Sequence, residues 1–167
     1  SISDIVNRED LIADVTKYAG GTIEGVVKRA IRRVELRVQR DLRIRQMEES
    51  SALTLTAGIN IITLPSDFLS ARLLYITGSP LFVLSQTTLD GIYDEYAAQA
   101  NQRPQKFAIS GNNLHVMPVP DASYSALLYY YASIPALSDT NPSNWLLTIA
   151  PDVYEYGALI ELTAYLR

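Results

Sequence analysis

The chain has 167 residues, enough to bury a hydrophobic core, and we expect a single domain. It is 48% hydrophobic and 19% charged with a net charge of −4, which is typical of a globular protein, and no apolar run approaches the roughly 18 residues of a membrane span. Cysteine is absent from the sequence, which excludes a disulfide framework and a thiolate metal site.

The first predicted element is a helix that starts after Asn7. Asparagine is a good helix cap, and Asp10, three residues later, favours the positive end of the helix dipole. Apolar residues then recur at helical spacing for about three turns. Gly20 and Gly21 predict the end of this helix, because glycine adopts the left-handed backbone found at helix termini.

Residues 22–47 predict the element that organises the chain, one long amphipathic helix with Thr22 as its candidate cap. Between its apolar positions lie eight basic and three acidic residues, a charge of +5 that leaves −9 for the rest of the chain. This pattern suits a helix that contacts an acidic surface of a partner. It suits equally a helix that pairs with the acidic body of its own fold, and both interpretations remain open.

Residues 48–135 predict a β-rich insertion, because the apolar pattern changes there from helical to alternating. Two short β-type runs, 52–56 and 60–64, lie on either side of Ala57-Gly58. Glycine is common in tight turns, and we therefore predict that these two runs pair with each other as a hairpin.

A second hairpin is predicted from residues 72–77 and 81–84, which flank a Gly-Ser-Pro turn. A short helix near residues 88–99 follows. Either Thr87 or Thr88 is suited to cap it, because a threonine hydroxyl accepts a hydrogen bond from the first helical turn.

The third predicted hairpin joins residues 106–110 to 114–117 around Gly111. Residues 124–132 then form the most β-prone run in the chain, with apolar or aromatic side chains on both faces. We expect this run to be a central strand, or one that a neighbouring subunit covers.

The last segment, residues 136–167, predicts a loop, a short apolar helical turn at 145–149 and a helix that begins at Pro151. The helical pattern continues to Arg167 without a stop signal. We therefore expect the native chain to continue, with the C-terminal helix truncated here.

Together these elements predict an α+β fold for a single domain over residues 1–167. The expected architecture is a long-helix bundle, made of two N-terminal helices within 1–47 and a C-terminal helix within 136–167. The β-hairpin-rich insertion, 48–135, interrupts this bundle.

The sequence is poorly supplied with catalytic chemistry. Its one histidine, His115, lies in a predicted strand without a nucleophile motif nearby, which favours a structural or surface role. There is no Gly-rich phosphate loop. Asp90, Asp94 and Glu95 lack the spacing of a calcium site and are better interpreted as a solvated acidic face. We predict no catalytic residue, no cofactor site and no metal site, and hence no enzyme.

Nucleic-acid binding through the basic helix 22–47 is the alternative function that the residues allow. Eight basic side chains could neutralise phosphates, and such binding would be steeply salt-dependent. The net acidic composition and the lack of a recognition-helix motif count against it. The chain also has eleven tyrosines, a residue type enriched at protein interfaces but equally able to fill a core.

Several segments carry a resemblance to a known family. They are 64–68 (Leu-Pro-Ser-Asp-Phe), 72–75, 78–81, 103–104, 107–109, 114–120, 129–131 (three tyrosines), 136–147, 150–152 and 154–159. The clearest is 136–147, Ala-Leu-Ser-Asp-Thr-Asn-Pro-Ser-Asn-Trp-Leu-Leu. In this order they resemble the head-to-tail adaptor (connector) proteins of tailed bacteriophages.

The resemblance implies a structural virion protein at the head–tail junction, made in the bacterial cytoplasm, with no enzymatic activity, cofactor or membrane. The resemblance implies a small helical subunit with a β-rich insertion. Such subunits assemble as a ring, commonly of twelve copies, beneath the portal. The ring continues the DNA channel, through which DNA passes without sequence-specific binding. Tail or nozzle proteins bind its other side, and a C-terminal extension tends to dock on the portal.

Two hypotheses about binding surfaces follow from the resemblance. The first is that Arg29, Arg33, Arg37 and Arg40, which share one face of the long helix, contact acidic residues of an adjacent subunit or of the portal. The second is that the turns around Ala57-Gly58 and Gly111-Asn112 project toward tail proteins.

Overall fold

The computed structural model describes residues 4–21 and 24–165. In this part of the chain it is α+β, with five helices and a seven-stranded sheet, as the sequence predicts. The chain divides into two compact units. We call Ser1–Gln46 with Ser133–Arg167 the helical unit, and Met47–Ala132 the sheet unit.

Helix α1 spans Arg8–Tyr18 and confirms the predicted cap. The Asn7 side chain accepts a hydrogen bond of 3.0 Å from the backbone N–H of Asp10, and the Asp10 carboxylate accepts one of 3.3 Å from the backbone N–H of Asn7. This reciprocal pair satisfies two donors that a helix start otherwise leaves free. Gly20 and Gly21 follow with φ of 72° and 84°, the left-handed backbone that the sequence predicts.

Helix α2 spans Glu24–Asp41, so the prediction that it runs to residue 47 is wrong. Its buried positions end at Val38, and Leu42, one turn later, is 44% exposed. An apolar face is therefore no longer available to hold a further turn. The Arg43 guanidinium donates to the carbonyl oxygens of Gln39 and Leu42, and a short 3₁₀ turn, Arg45–Met47, follows. The proposed cap Thr22 lies outside the described residues.

The C-terminal part of the helical unit contains α4, Trp145–Ile149, and α5, Pro151–Thr163. The side chain of Asn144 caps α4 by accepting a 2.8 Å hydrogen bond from the backbone N–H of Leu147, and Pro151 occupies the first position of α5 as predicted. Helices α1, α2 and α5 contact one another.

A buried polar network fixes the loop that leads back into the helical unit. Glu35 of α2 is only 1% exposed, and its Oε1 accepts hydrogen bonds from the Leu137 N–H at 2.8 Å and from the Tyr154 hydroxyl at 3.2 Å. The Asn144 side chain donates to the same hydroxyl at 2.7 Å, and Arg32 pairs with the other Glu35 oxygen at 2.9 Å. Burial is the main cause of the raised pKa of Tyr154, which keeps this hydroxyl a donor.

The sheet unit contains seven strands and one helix, α3, Leu89–Tyr96. The strands are β1 Glu48–Leu55, β2 Ile61–Thr63, β3 Phe68–Ile76, β4 Phe82–Gln86, β5 Lys106–Ser110, β6 Asn113–Met117 and β7 Tyr124–Ala132. Their order in the sheet is β1-β7-β3-β4-β5-β6-β2. All neighbours are antiparallel except β4 and β5, which are parallel and joined through α3.

The predicted first hairpin is wrong, although its turn exists. Gly58 has φ of 75°, as a tight turn requires, but β1 pairs with β7 and β2 pairs with β6. Strand β2 has only three residues, too few to match the eight of β1. Pairing β2 with β6 places Ile62 opposite Leu114 and leaves the full length of β1 to pair with β7.

The other predicted elements of the sheet unit are confirmed. Strands β3 and β4 form the second hairpin, and β5 and β6 form the third around Gly111. Thr88 caps α3, which ends three residues before the predicted Gln99. Strand β7 is central, between β1 and β3, and one of its faces is buried in the core through residues that include Ala126, Leu128 and Tyr130.

Candidate partner-binding surface

Four arginines lie on one side of α2: Arg29, Arg33, Arg37 and Arg40, which we call the arginine face. Their spacing of three to four residues brings them to the same side, along the margin of the buried apolar face, where Val26 lines one groove with Arg29 and Arg33. The side chains of Arg33, Arg37 and Arg40 are 67%, 54% and 72% exposed. The structure thus places the four predicted side chains together and at the surface.

Glu161 of α5 holds two members of the arginine face. Its carboxylate, in a side chain only 12% exposed, pairs with Arg37 and lies 3.8 Å from Arg33. A carboxylate held against the α2–α5 contact fixes both guanidiniums close to the helix surface. Each guanidinium keeps further N–H donors, because arginine has five and one carboxylate uses at most two from each.

Arg40 pairs with its neighbour Asp41 through two hydrogen bonds, of 2.8 Å from Nε and 3.4 Å from a terminal nitrogen. This pairing is the main cause of the raised pKa of Arg40 and of the lowered pKa of Asp41. Arg29 has no ion pair with any described residue, and it lines a small groove together with Arg33 and Glu161. Arg29 is therefore the member of the face with the most unused charge.

The hypothesis drawn from the sequence treats all four arginines as equivalent, and the structure shows that they are not. Arg33, Arg37 and Arg40 already have carboxylates within the chain, so four positive charges face two negative ones. Leu36, 51% exposed, lies in the same groove as Arg33 and Arg40. Arginine beside exposed aliphatic side chains is typical of protein interfaces. That the face binds a partner stays a prediction.

Sequence reasoning missed Glu161, because pairing between α2 and α5 is a tertiary contact between residues far apart in the chain. A signal was present: Glu161 directly precedes Leu162, within the apolar spacing of α5 that also includes Tyr154 and Ala158. An acidic residue beside an apolar stripe is rarely buried unless it is paired, which predicts a basic partner on a neighbouring helix.

An acidic surface lies elsewhere on the helical unit. Asp4, Asp10 and Asp14 line a shallow groove beside α1, which we call the acidic groove. Glu155 of α5 is 2% exposed, and burial is the main cause of its raised pKa. The negative charge of the nearby Asp14 raises the pKa of Glu155 further. The Oδ2 of Asp14 and the Oε2 of Glu155 are buried without a hydrogen-bond partner.

The sheet unit carries an exposed apolar patch on β3, β4 and β7. Leu73, Leu81 and Val83 are 38%, 53% and 49% exposed, and the rings of Tyr75 and Tyr129 stack beside them with centroids 6.3 Å apart. These residues, with Arg72, line an open groove of about 480 Å³. A contiguous apolar patch of this kind is a candidate second binding surface.

Two of the residues considered for chemistry, His115 and Glu95, have structural contacts. The Nδ1 of His115 is 2.9 Å from the Tyr93 hydroxyl, a contact that joins α3 to β6. Glu95 pairs with Lys106 at 2.6 Å. Within residues 4–21 and 24–165, no group of three or more His, Asp or Glu side chains is arranged to hold a metal ion. None of the described helices has the length and apolar character of a membrane span.

Comparison with known proteins supports the resemblance seen in the sequence. The model of the family described as SU10 adaptor protein matches residues 6–167, almost the whole chain. Among curated proteins, none matches the chain significantly. The predicted relation to phage adaptor proteins is therefore confirmed.

Proposed function

The chain belongs to the SU10 adaptor protein family, and from this premise we propose that it connects the portal to the tail of a bacteriophage virion. Copies of the chain form a ring that stacks beneath the portal and continues the DNA channel. A ring of about twelve copies is what the resemblance to adaptor proteins implies. A tail or nozzle protein binds the other side of the ring. The role is structural, and DNA passes without sequence-specific contacts.

The separation of charge within the helical unit is the observation that supports this proposal best. A ring built from identical subunits needs two different surfaces that fit each other, because each copy contacts two neighbours in a head-to-tail manner. The arginine face and the acidic groove have opposite charge and are made by different helices. One copy therefore carries both halves of a possible contact.

We assign the two parts of the chain different tasks in this assembly. The helices of residues 1–47 and 136–167 form the long-helix bundle that contacts neighbours and the portal, within a single adaptor domain. The insertion, 48–135, offers the tail its exposed apolar patch and the turns at Ala57-Gly58 and Gly111-Asn112. Deleting one of these turns should leave portal binding intact and prevent tail attachment; tails that still attach would contradict this assignment.

Binding to the cognate portal tests the proposal. Purified chain and portal are mixed and separated by sedimentation, and we expect the chain to move with the portal at a fixed, multiple stoichiometry. The variant Arg29→Glu/Arg40→Glu should remain folded but fail to form the ring. The matched control, Lys28→Glu/Arg45→Glu, changes the net charge equally away from the arginine face and should assemble normally. A wild-type chain that ignores the portal would overturn the proposal.

A nucleic-acid-binding assembly module that uses the basic segment 22–47 is the alternative. The eight basic residues favour it, but the carboxylates of Glu161 and Asp41 already occupy three of the exposed arginines. This alternative predicts that the isolated chain binds duplex DNA in a gel-shift experiment at low salt, and that its affinity falls steeply as salt rises. The adaptor proposal predicts little DNA affinity from the isolated chain.

A further inference from the structure

Glu155 and Glu161 of α5 mark two oppositely charged sides of the helical unit. Glu155 meets the α1 side beside Asp14, and Glu161 meets the α2 side beside Arg33 and Arg37. Six helical positions separate the two glutamates, which places them about 120° apart around the helix axis. The arginine face and the acidic groove therefore point in different directions, as the two halves of a head-to-tail contact must.

The acidic side has unfulfilled bonding capacity as well as charge. Asp14 lines the groove, and its Oδ2 has no hydrogen-bond partner. The neighbouring Glu155 is only 2% exposed, and its Oε2 also has no hydrogen-bond partner. Both oxygens are enclosed, so an incoming guanidinium cannot bond to them directly, but the negative charge that they leave uncompensated beside the groove would attract it.

The arginine side has the matching capacity. Arg29 has no ion pair with any described residue, and Arg40 is paired only with the adjacent, exposed Asp41. Glu161 holds Arg33 and Arg37 against the helix, which reduces the side-chain freedom that binding would remove. The face is thus partly ordered before any partner arrives.

We propose that the arginine face of one copy binds the acidic groove of the next copy, with Arg29 placed against Asp14. This assignment rests on the proposed adaptor function and names the surface that the ring contact uses. A second copy is the best occupant because its groove is lined by three acidic residues, of which Asp14 has an unpaired carboxylate oxygen, together with Ile5 and Ala13. Phosphate is a poorer occupant, because Glu161 and Asp41 lie among the arginines and repel it.

Reciprocal charge reversal tests the pairing. One variant carries Arg29→Glu/Arg40→Glu, and the other carries Asp4→Lys/Asp14→Lys. Each alone places like charges against each other, and we expect its self-association to weaken by at least about tenfold in sedimentation velocity at low salt. An equimolar mixture of the two restores opposite charges at every contact and should assemble as the wild type does.

Disulfide trapping gives a second measurement that tolerates instability of the lysine variant. The sequence has no cysteine, so Arg29→Cys and Ala13→Cys each introduce one thiol at an exposed position. Mixed under mild oxidation, the two variants should form the mixed dimer at least about tenfold faster than either forms its own dimer. Lys28→Cys with Ala13→Cys is the matched control and should show no such preference.

The outcomes separate the pairing from the adaptor function. If the wild type associates and both reversed variants associate equally well, or if trapping shows no preference for Arg29 with Ala13, the pairing is wrong while the ring stands. If the wild type does not associate with itself either in solution or on its portal, the adaptor proposal fails, and the pairing fails with it. If each reversed variant fails by itself and only their mixture assembles as the wild type does, the result supports both the pairing and the adaptor function.

Discussion

At the scale of single residues, the helical unit contains two buried carboxylates with opposite effects on its stability. One has hydrogen-bond partners, and the other has an oxygen without a partner. Glu35 accepts hydrogen bonds from the Leu137 N–H and the Tyr154 hydroxyl, whereas the Oε2 of Glu155 has no partner. A paired buried carboxylate holds its surroundings in one arrangement. An unpaired one costs stability, because a buried charge has lost its water.

Replacing Glu35 by alanine should therefore be strongly destabilising. The change leaves the Leu137 N–H and the Tyr154 hydroxyl buried without an acceptor, and we expect a loss of about 3–5 kcal/mol in the free energy of unfolding, measured by urea denaturation. Glu24→Ala is the control, since it removes an exposed pair with Lys28 and should cost less than about 0.5 kcal/mol. Equal effects of the two changes would contradict the role of Glu35.

Replacing Glu155 by glutamine should stabilise the protein near neutral pH. Burial raises the pKa of Glu155, so the folded state binds this proton more tightly than the unfolded state does. The stabilisation from this group is then complete below its unfolded pKa and is lost as pH rises through its folded pKa. We expect Glu155→Gln to add on the order of 1 kcal/mol at pH 7 and less at pH 4.

The measurement is urea unfolding of the wild type and the Glu155→Gln variant at both pH values. Asp94→Asn serves as the control, because Asp94 is exposed on α3 of the sheet unit and its charge is not one of those that raise the pKa of Glu155. This change should leave the pH dependence as it is. A glutamine variant that gains nothing at pH 7, or gains more at pH 4, would show that the buried carboxyl is not the cause.

At the scale of elements, α2 and α5 approach closely because α5 has a glycine at the contact. A Cβ built on Gly157 would lie 2.8 Å from a methyl group of Val34, closer than such atoms can pack. Glycine lowers the intrinsic stability of a helix by about 1 kcal/mol, so its presence here reflects packing.

Gly157→Ala should accordingly destabilise the protein by about 1–3 kcal/mol, in spite of the better helix propensity of alanine. Gly25→Ala in α2 is the matched control, because nothing lies within 4 Å of its added methyl, and it should be neutral or stabilising by up to about 1 kcal/mol. Adding Val34→Ala should recover part of the loss at residue 157. Thermal unfolding of the wild type and of these three variants decides between packing and propensity.

The elements also show which structural features can be predicted from sequence. The caps at Asn7 and Thr88 are correctly predicted because the cap and the helix it serves are adjacent in the chain. The pairing of β1 with β7 is not predicted correctly. A strand pairs with a distant strand in preference to its neighbour across a turn when the distant pairing buries more side chains. The end of α2 at Asp41 was missed because basic residues continue beyond the last buried position.

At the scale of the whole molecule, the sequence indicates where the candidate surface lies but not which of its arginines are already paired within the chain. Helical spacing alone places Arg29, Arg33, Arg37 and Arg40 on one face. That Glu161 already pairs with two of them depends on how α5 packs against α2, which no local pattern reveals. The acidic groove likewise exists only after folding brings Asp4 beside Asp14.

Salt should weaken the contact between copies more than it weakens the fold. The proposed contact joins exposed charges, which are screened once the Debye length falls to about 3 Å at 1 M salt. The fold rests mainly on buried apolar side chains, which salt does not screen. We expect sedimentation to show dissociation in high salt while circular dichroism stays unchanged; simultaneous loss of both signals would contradict this division.

Electron microscopy of the chain mixed with its cognate portal is the most direct test of the adaptor role. We expect a closed ring stacked coaxially on the portal, with one open channel through both and the arginine face of each copy against its neighbour. A chain that stays monomeric beside an unoccupied portal, or that decorates the portal without closing a ring, would contradict it.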